Sequence, residues 1–415
     1  MLSWFKTSFW SLLSIGSRTV SALAINKLVA LQFGPNGITL LSHFQNLLAI
    51  ATTIPNDGIN LGIITYLGNK HPGDADYQRY LVAGILWQLL VFAGVISVFL
   101  IQEDFYLGPF LSEIPAKAWI AFFTVGLLLL LISIYLQAII LARRALPYYA
   151  GLVAFSSVGS ALLIWYYLPD FSLSTLLLLY LVGQGLTAGI ALVMIVSRGW
   201  LPRLSLAAIN KLALRDIGKF ILMALTLVIC SKLVNFYVRH IMIARFDLYQ
   251  TGLWQTAVKL SENYTMLYTS FLGIVYYPKL AALVHEEESF RKYVRTVFYR
   301  LVPLIAIGLG LFYALQHWFI LLLFEERFLP AAELLDFQVI GDFFKMSAWI
   351  LSFIITVQAR TTFYIILQVI AAVLYLLLLF WLVGQFGLQG VPMAHCASFG
   401  LFFLFNVIHF RKIIF

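Results

Sequence analysis

Apolar runs about as long as a hydrocarbon core is thick recur from Phe9 to Phe410, with breaks between them too short to hold a soluble domain. A helix needs roughly 20 mainly apolar residues to cross a bilayer. Inside lipid, every backbone N–H and C=O must be satisfied within the protein. The chain is therefore expected to be an all-α polytopic membrane protein. Its composition agrees: 62% of the 415 residues are hydrophobic and only 11% are charged, against about 25% charge in soluble domains. The run at 8–33 is too long for a signal-peptide core and lacks a small-residue cleavage pattern, so it reads as a retained first span. Cys230 and Cys396 lie in apolar helical context with no CxxC or metal spacing, which predicts two buried thiols and neither a disulfide nor a metal site.

Turn signals divide the apolar runs into about twelve spans, at approximately 8–33, 38–67, 80–102, 117–142, 147–168, 173–197, 217–245, 251–277, 296–316, 331–358, 362–384 and 389–410. Gly34-Pro35-Asn36-Gly37, Pro169-Asp170 and Gly384-Gln385-Phe386-Gly387 supply the clearest punctuation. Loop charge tests the count, because cytoplasmic loops are the basic ones. With a cytoplasmic N-terminus, the loops around Lys70, Arg144, Arg203 and Arg291 fall inside, and the outer loops hold only Lys117, Arg245 and Arg327. Both termini are then cytoplasmic. The net charge of +9 is mostly this topology signal facing anionic lipid, and no aromatic-interleaved basic patch points to nucleic acid.

A basic break at 198–216 separates a six-span half at 1–197 from a second at 217–415, as in transporters built from repeats. Spans one and seven echo each other. Each carries two basic residues, Arg18 with Lys27 and Lys232 with Arg239, and each ends at a Phe (Phe33, Phe246) followed shortly by Gly (Gly37, Gly252) and a new apolar helix.

A charge at mid-bilayer costs from about 2.5 to more than 10 kcal/mol, so such residues face the bundle interior or a wet cavity. The spans contain Arg18, Lys27, Lys232, Arg239, Lys259 and Lys345 against Asp57, Glu262 and Asp342. Ion pairing among themselves leaves positive charge over. Lys232 and Arg239, seven apart, share a helix face; Lys259 with Glu262 and Asp342 with Lys345, three apart, can pair along their helices. Arg18 fits a structural pair with Asp57 as well as a ligand role. For Lys27 and Arg239 the competing expectation is snorkelling toward the outer interface. A surplus of buried cations suits an anion, and a diphosphate matches two to four Lys/Arg groups. Trp254, Tyr264, Tyr268 and Tyr237 lie near these helices and offer faces for stacking on sugar rings, although in a chain with 16% aromatic residues lipid-facing or interfacial rings account for most of them. His43, His240 and His395 each look like isolated, satisfied core residues. No GxSxG, HExxH or Walker A motif is present, and no loop is long enough for a catalytic domain, so a transporter is expected rather than an enzyme, with neither cofactor nor metal.

Asn26-Lys27-Leu28 leading to Phe33-Gly34-Pro35-Asn36-Gly37, Asp57-Gly58-Ile59-Asn60-Leu61-Gly62-Ile63, Gly218-Lys219-Phe220-Ile221, Gly252-Leu253-Trp254-Gln255, Tyr277-Pro278-Lys279-Leu280 and Gly341-Asp342-Phe343-Phe344-Lys345 resemble segments of the Wzx-type polysaccharide flippases. These belong to the multidrug/oligosaccharidyl-lipid/polysaccharide exporter superfamily. The resemblance implies two six-helix bundles in a V, alternating access, and transfer of an undecaprenyl-diphosphate-linked oligosaccharide from the cytoplasmic to the periplasmic leaflet of a bacterial inner membrane. It places Lys27, Asp57, Asp342 and Lys345 where similar proteins carry intramembrane charges. An O-antigen unit of lipopolysaccharide and the enterobacterial common antigen lipid III are both compatible cargo. Ion- or proton-driven antiport and contact with polymerase or glycosyltransferase machinery are further implications. A multidrug exporter of the same superfamily and a membrane-embedded glycan polymerase or ligase are the alternatives. The first would need an acidic cavity for organic cations, the second a large periplasmic loop.

The topology has a direct check. Single cysteines near Lys70, Arg144, Arg203 and Arg291 are expected to be shielded from a membrane-impermeant thiol reagent in sealed cells, and those near Glu113, Asp170 and Glu326 to react. Outside labelling of the 198–216 loop would overturn the twelve-span arrangement.

Overall fold

The computed structural model describes residues 2–68, 70–111, 115–202, 205, 208–358 and 361–415; Glu113 and Arg203, which mark two of the expected loops, lie outside them. Among the described residues the regular structure is entirely helical. Nine helical stretches are long and apolar enough to cross a membrane, and three of them, Leu13–Leu67, Lys211–Thr269 and Thr362–His409, run for 55, 59 and 48 residues. Each of these three is at least twice the roughly 20 residues that one crossing needs, so six single stretches and three double ones are long enough, among the described residues, for twelve crossings. Their outward faces carry large apolar side chains, Phe122, Trp165 and Leu377 among them at 63%, 61% and 65% exposure. Water would penalise such a surface, and lipid accepts it.

Each of the double stretches contains a break in helical geometry. Helix α1 (Leu2–Thr53) breaks at Gly34, with φ 62° and ψ −154°. After α2 (Leu61–Leu67), α3 (Ala75–Ile101), α4 (Glu103–Tyr106), α5 (Ala116–Ala142), α6 (Leu146–Tyr167), α7 (Leu173–Gly185), α8 (Thr187–Ser197) and α9 (Lys211–Leu227) comes α10 (Val234–Phe271). It breaks at Asp247, with φ 73° and ψ 175°. Both breaks occupy the same glycine-favouring region, and each is the residue after the Phe that closes its span. At Asp247 the strain is offset by a cap: its Oδ1 accepts the Gln250 N–H at 2.9 Å, and the Thr251 hydroxyl donates to its carbonyl at 2.6 Å. The helical stretch α15 (Thr361–Phe386) ends before Gly387, φ 59°, ahead of α16 (Gly390–His409).

By their contacts, residues 1–33 and 40–240 form one compact unit and residues 34–39 and 241–415 another. In the first, α9, which sequence reasoning assigns to the second half, packs on α3 and on the π-helical turn Ile54–Asn60. Ala213, Ile217 and Ile221 at four-residue spacing meet Ile59, Ile63 and Leu67 at the same spacing in one buried cluster. Gly58 allows the approach, since a Cβ there would lie 3.1 Å from the Ile221 Cα. The π turn has a local cause. Pro55 has no N–H to continue the α-helical ladder, and the Thr52 and Thr53 hydroxyls already bond the carbonyls of Leu48 and Ala49.

In the second unit, α14 (Ala332–Val357) packs tightly on α16. Gly341 faces the Cys396 backbone, where a Cβ would come within 2.9 Å of its Cα. The two corner segments also meet in this unit. Thr39 donates to the Leu248 carbonyl at 2.7 Å, and a Cβ on Gly252 would sit 2.1 Å from the Pro35 oxygen and 2.5 Å from its carbonyl carbon. Backbone atoms cannot step aside as a flexible side chain can. Gly252→Ala is therefore expected to lower stability by about 1–3 kcal/mol, read as a lower melting temperature of the detergent-purified protein. Gly94→Ala, where nothing lies within 4 Å, should leave it unchanged.

Candidate functional site

A cavity of about 760 Å³ opens within the first unit, between α1, α5, α6, α7 and the π turns Ile54–Asn60 and Val228–Leu233. Its size lies in the roughly 300–1,000 Å³ range of ligand sites. Three charged residues line it: Arg18, Asp57 and Lys232. The Arg18 guanidinium donates to the Tyr149 hydroxyl at 3.3 Å, a neutral partner, so the structural pair with Asp57 does not form. The Lys232 ammonium acts electrostatically on Asp57. Both residues sit in π-helical turns, which widen the helix locally and re-aim its side chains. Two cations face one anion, so the cavity is net positive. Hydroxyl and carboxamide groups make up much of the remaining wall.

The other expected site residues are placed elsewhere. Arg239 is buried and its Nη1 donates to the Ser42 carbonyl at 2.9 Å, so it neither snorkels nor shares the cavity with Lys232. The seven-residue spacing assumed an uninterrupted α-helix, and the π turn at Val228–Leu233 breaks that phase. Lys27 is half-buried on α1, away from the cavity wall. Lys259 is buried in the second unit while Glu262 is exposed, and the pairing allowed by their spacing does not form.

Asp342 and Lys345 do meet. Asp342 is fully buried; its Oδ1 accepts from Lys345 Nζ at 2.6 Å and lies 3.0 Å from His395 Nε2. Its Oδ2 accepts from the Tyr264 hydroxyl at 2.5 Å, from the Ser261 hydroxyl, and from Gln338 Nε2 at 3.4 Å. One carboxylate thus ties α10, α14 and α16. Lys345 also lies 5.6 Å from the Trp349 ring and 5.7 Å from that of Phe399.

The aromatic and histidine expectations are corrected at several points. Trp254 is buried, Tyr264 is bound to Asp342, and Tyr268 donates to the Met346 carbonyl at 2.9 Å; packing and polar satisfaction occupy all three. Tyr237 is exposed. His395 is no isolated residue. His43 is fully buried yet has no hydrogen-bond partner at either ring nitrogen, stacking on Phe236 at 4.3 Å with His240 at 6.3 Å. Cys230 and Cys396 are free thiols, each only partly buried.

No family model matches the chain. Among solved structures, an inward-facing multidrug resistance MATE family transporter of the MOP superfamily superposes with a TM-score of 0.74 at 13% identity, covering 95% of each chain. The lipid II flippase MurJ, in an inward closed conformation, also gives 0.74 at 12% identity, over 98% of this chain and 90% of that one. This chain has the fold of these two structures. A curated relative, the lipid III flippase of Escherichia coli (strain K12), is 25% identical over 418 residues, 97% of either chain, and the lipid III flippase of Shigella flexneri matches equally. The resemblance to Wzx-type flippases read from the sequence is borne out by these relatives.

Sequence reasoning missed Ser261 and Gln338 and the amide wall of the cavity, and it named Tyr264 and His395 without joining them to Asp342. Their common signal is a neutral polar residue inside an apolar span, where it needs a partner. The Asp342 cluster makes a measurable claim. Removing one partner of a buried pair strands the other, so Asp342→Ala is expected to cost about 3–5 kcal/mol, seen as a large fall in detergent melting temperature. Adding Lys345→Met should recover much of the loss, and additive effects of the two changes would contradict the pairing.

Proposed function

We propose that the chain is a flippase that moves an undecaprenyl-diphosphate-linked oligosaccharide between membrane leaflets. The observation that carries this reading is the 760 Å³ polar cavity inside a membrane-spanning unit, with Arg18 and Lys232 facing it against Asp57 alone. Such a space takes a hydrated anionic headgroup, while the polyprenyl tail stays in lipid. The lipid III flippases, similar along the whole chain, support the same cargo class. The surplus of positive charge speaks against organic cations, so the multidrug reading suits the cavity less well.

In this reading Lys232 and Arg18 hold the diphosphate, Arg18 with the bidentate geometry that phosphate favours. Lys27 and Lys259 add to the positive field within the membrane, whereas Arg239 and Lys345 are engaged with Ser42 and Asp342. Asp57, Glu262 and Asp342 are the carboxylates for ion or proton coupling in alternating access between two six-helix bundles. We place both termini in the cytoplasm, the protein in a bacterial inner membrane, and its action beside the polymerases and glycosyltransferases of surface polysaccharide synthesis. The cargo is lipid III or an O-antigen unit.

Transport of undecaprenyl-diphosphate-linked oligosaccharide in proteoliposomes tests the central claim. A lost charge-assisted phosphate contact is worth about 1.5–3 kcal/mol, roughly a 10- to 100-fold loss. Lys232→Ala and Arg18→Ala are each expected to fall by that much, with Lys232→Arg retaining part of the activity. Wild-type transport by both alanine variants, at normal membrane abundance, would overturn the reading.

A further inference from the structure

The charged residues of the cavity account for a phosphate but not for the remainder of its wall. Asn56 and Asn60 on the π turn, Gln137 on α5 and Gln184 on α7 all line it. A carboxamide offers two donors and an acceptor with two lone pairs, and the bundle uses few of these. Gln137 Nε2 donates to the Ser133 hydroxyl at 3.0 Å. Gln184 Nε2 donates to Ser160 at 3.2 Å, and its oxygen accepts from Ser156 at 3.4 Å. Asn60 Nδ2 donates to the Ile134 carbonyl at 3.2 Å, and its Oδ1 is buried without a donor. Asn56 is exposed at the cavity.

Polar groups that serve only to join helices look different in the same unit. Ser133 and Thr187, both fully buried, pair at 2.6 Å. Asn60, Gln137 and Gln184 are held in place by one or two bonds each, Asn56 reaches the cavity with none, and all four keep donors and acceptors over. An apolar residue of similar size would fill the same positions without the cost of a half-satisfied polar group. Fixed, planar groups with spare donors and acceptors match the hydroxyl and acetamido groups of a sugar, each of which both gives and takes hydrogen bonds. A site built this way discriminates strongly, because a wrong sugar leaves its polar groups unpaired.

We propose that Asn56, Asn60, Gln137 and Gln184 are specificity-determining residues that read the sugars of the headgroup, separately from the cations that hold the diphosphate. The proposal rests on the flippase reading. The phosphate sets that a lipid is bound; the amide wall sets which glycan is accepted.

Binding of three probes to the full-length, detergent-purified protein tests it: undecaprenyl diphosphate alone, the same lipid carrying one N-acetylglucosamine, and the same lipid carrying a trisaccharide. Asn56→Ala removes a side chain with no bond to the bundle, and Gln137→Met keeps length and shape, so both variants should fold. Each is expected to weaken the sugar-bearing lipids on the order of tenfold per lost hydrogen bond and to leave the bare diphosphate unchanged. Lys232→Ala should weaken all three alike. If both amide variants keep the wild-type preference for sugar-bearing over bare lipid, or if the wild-type protein has no such preference, the wall does not read sugar, and the flippase reading is untouched. If no probe binds in a Lys232-dependent way, the flippase reading falls and the amide wall with it.

Discussion

A charge or amide that leaves water for a membrane interior must find its partners inside the protein, and that requirement organises this chain more than any packing preference does. Asp342 shows it most fully. A carboxylate with no solvent access is tolerable only because Lys345, His395, Ser261, Tyr264 and Gln338 converge on it from three helices. The same convergence fixes how α10, α14 and α16 approach one another. Gly341, beside the carboxylate, is the small residue that lets α14 reach the backbone of α16.

Where the requirement is met, the structure is closed; where it is met only in part, there is a cavity. Arg18 has a phenol for a partner, Lys232 and Asp57 share one wall, and the neighbouring carboxamides keep unused donors and acceptors. The π turns are the local device behind this. Pro55 interrupts the helical ladder and the widened turn carries Asn56, Asp57 and Asn60 to the cavity. In the second such turn Lys232 is brought to the same space, while Arg239 one regular stretch later turns to Ser42.

The corners at Gly34 and Asp247 give the repeat of spans one and seven a physical form. Both follow a Phe and both take the same backbone conformation. Glycine adopts it freely, and the aspartate adopts it because its carboxylate caps the helix that follows. Sequence similarity between the halves is faint, yet the turn geometry is shared, since the fold-back needs a conformation rather than a particular residue.

The sequence by itself determined the membrane class, the number of crossings, the position of the corners and the identity of the intramembrane charges. Length, hydropathy and punctuation are local properties that the bilayer reads directly. It also paired Asp342 with Lys345, because three residues along one helix is a local distance. Only the tertiary structure decided which charges meet across helices. Lys232 and Arg239 part company because a π turn shifts the helical phase, and α9 joins the first unit because Ile217 and Ile221 meet Ile59 and Ile63 there. His395 reaches Asp342 from fifty-three residues away, and the amide wall gathers from helices far apart in the chain. Such contacts arise from packing between helices, which spacing along one helix does not encode.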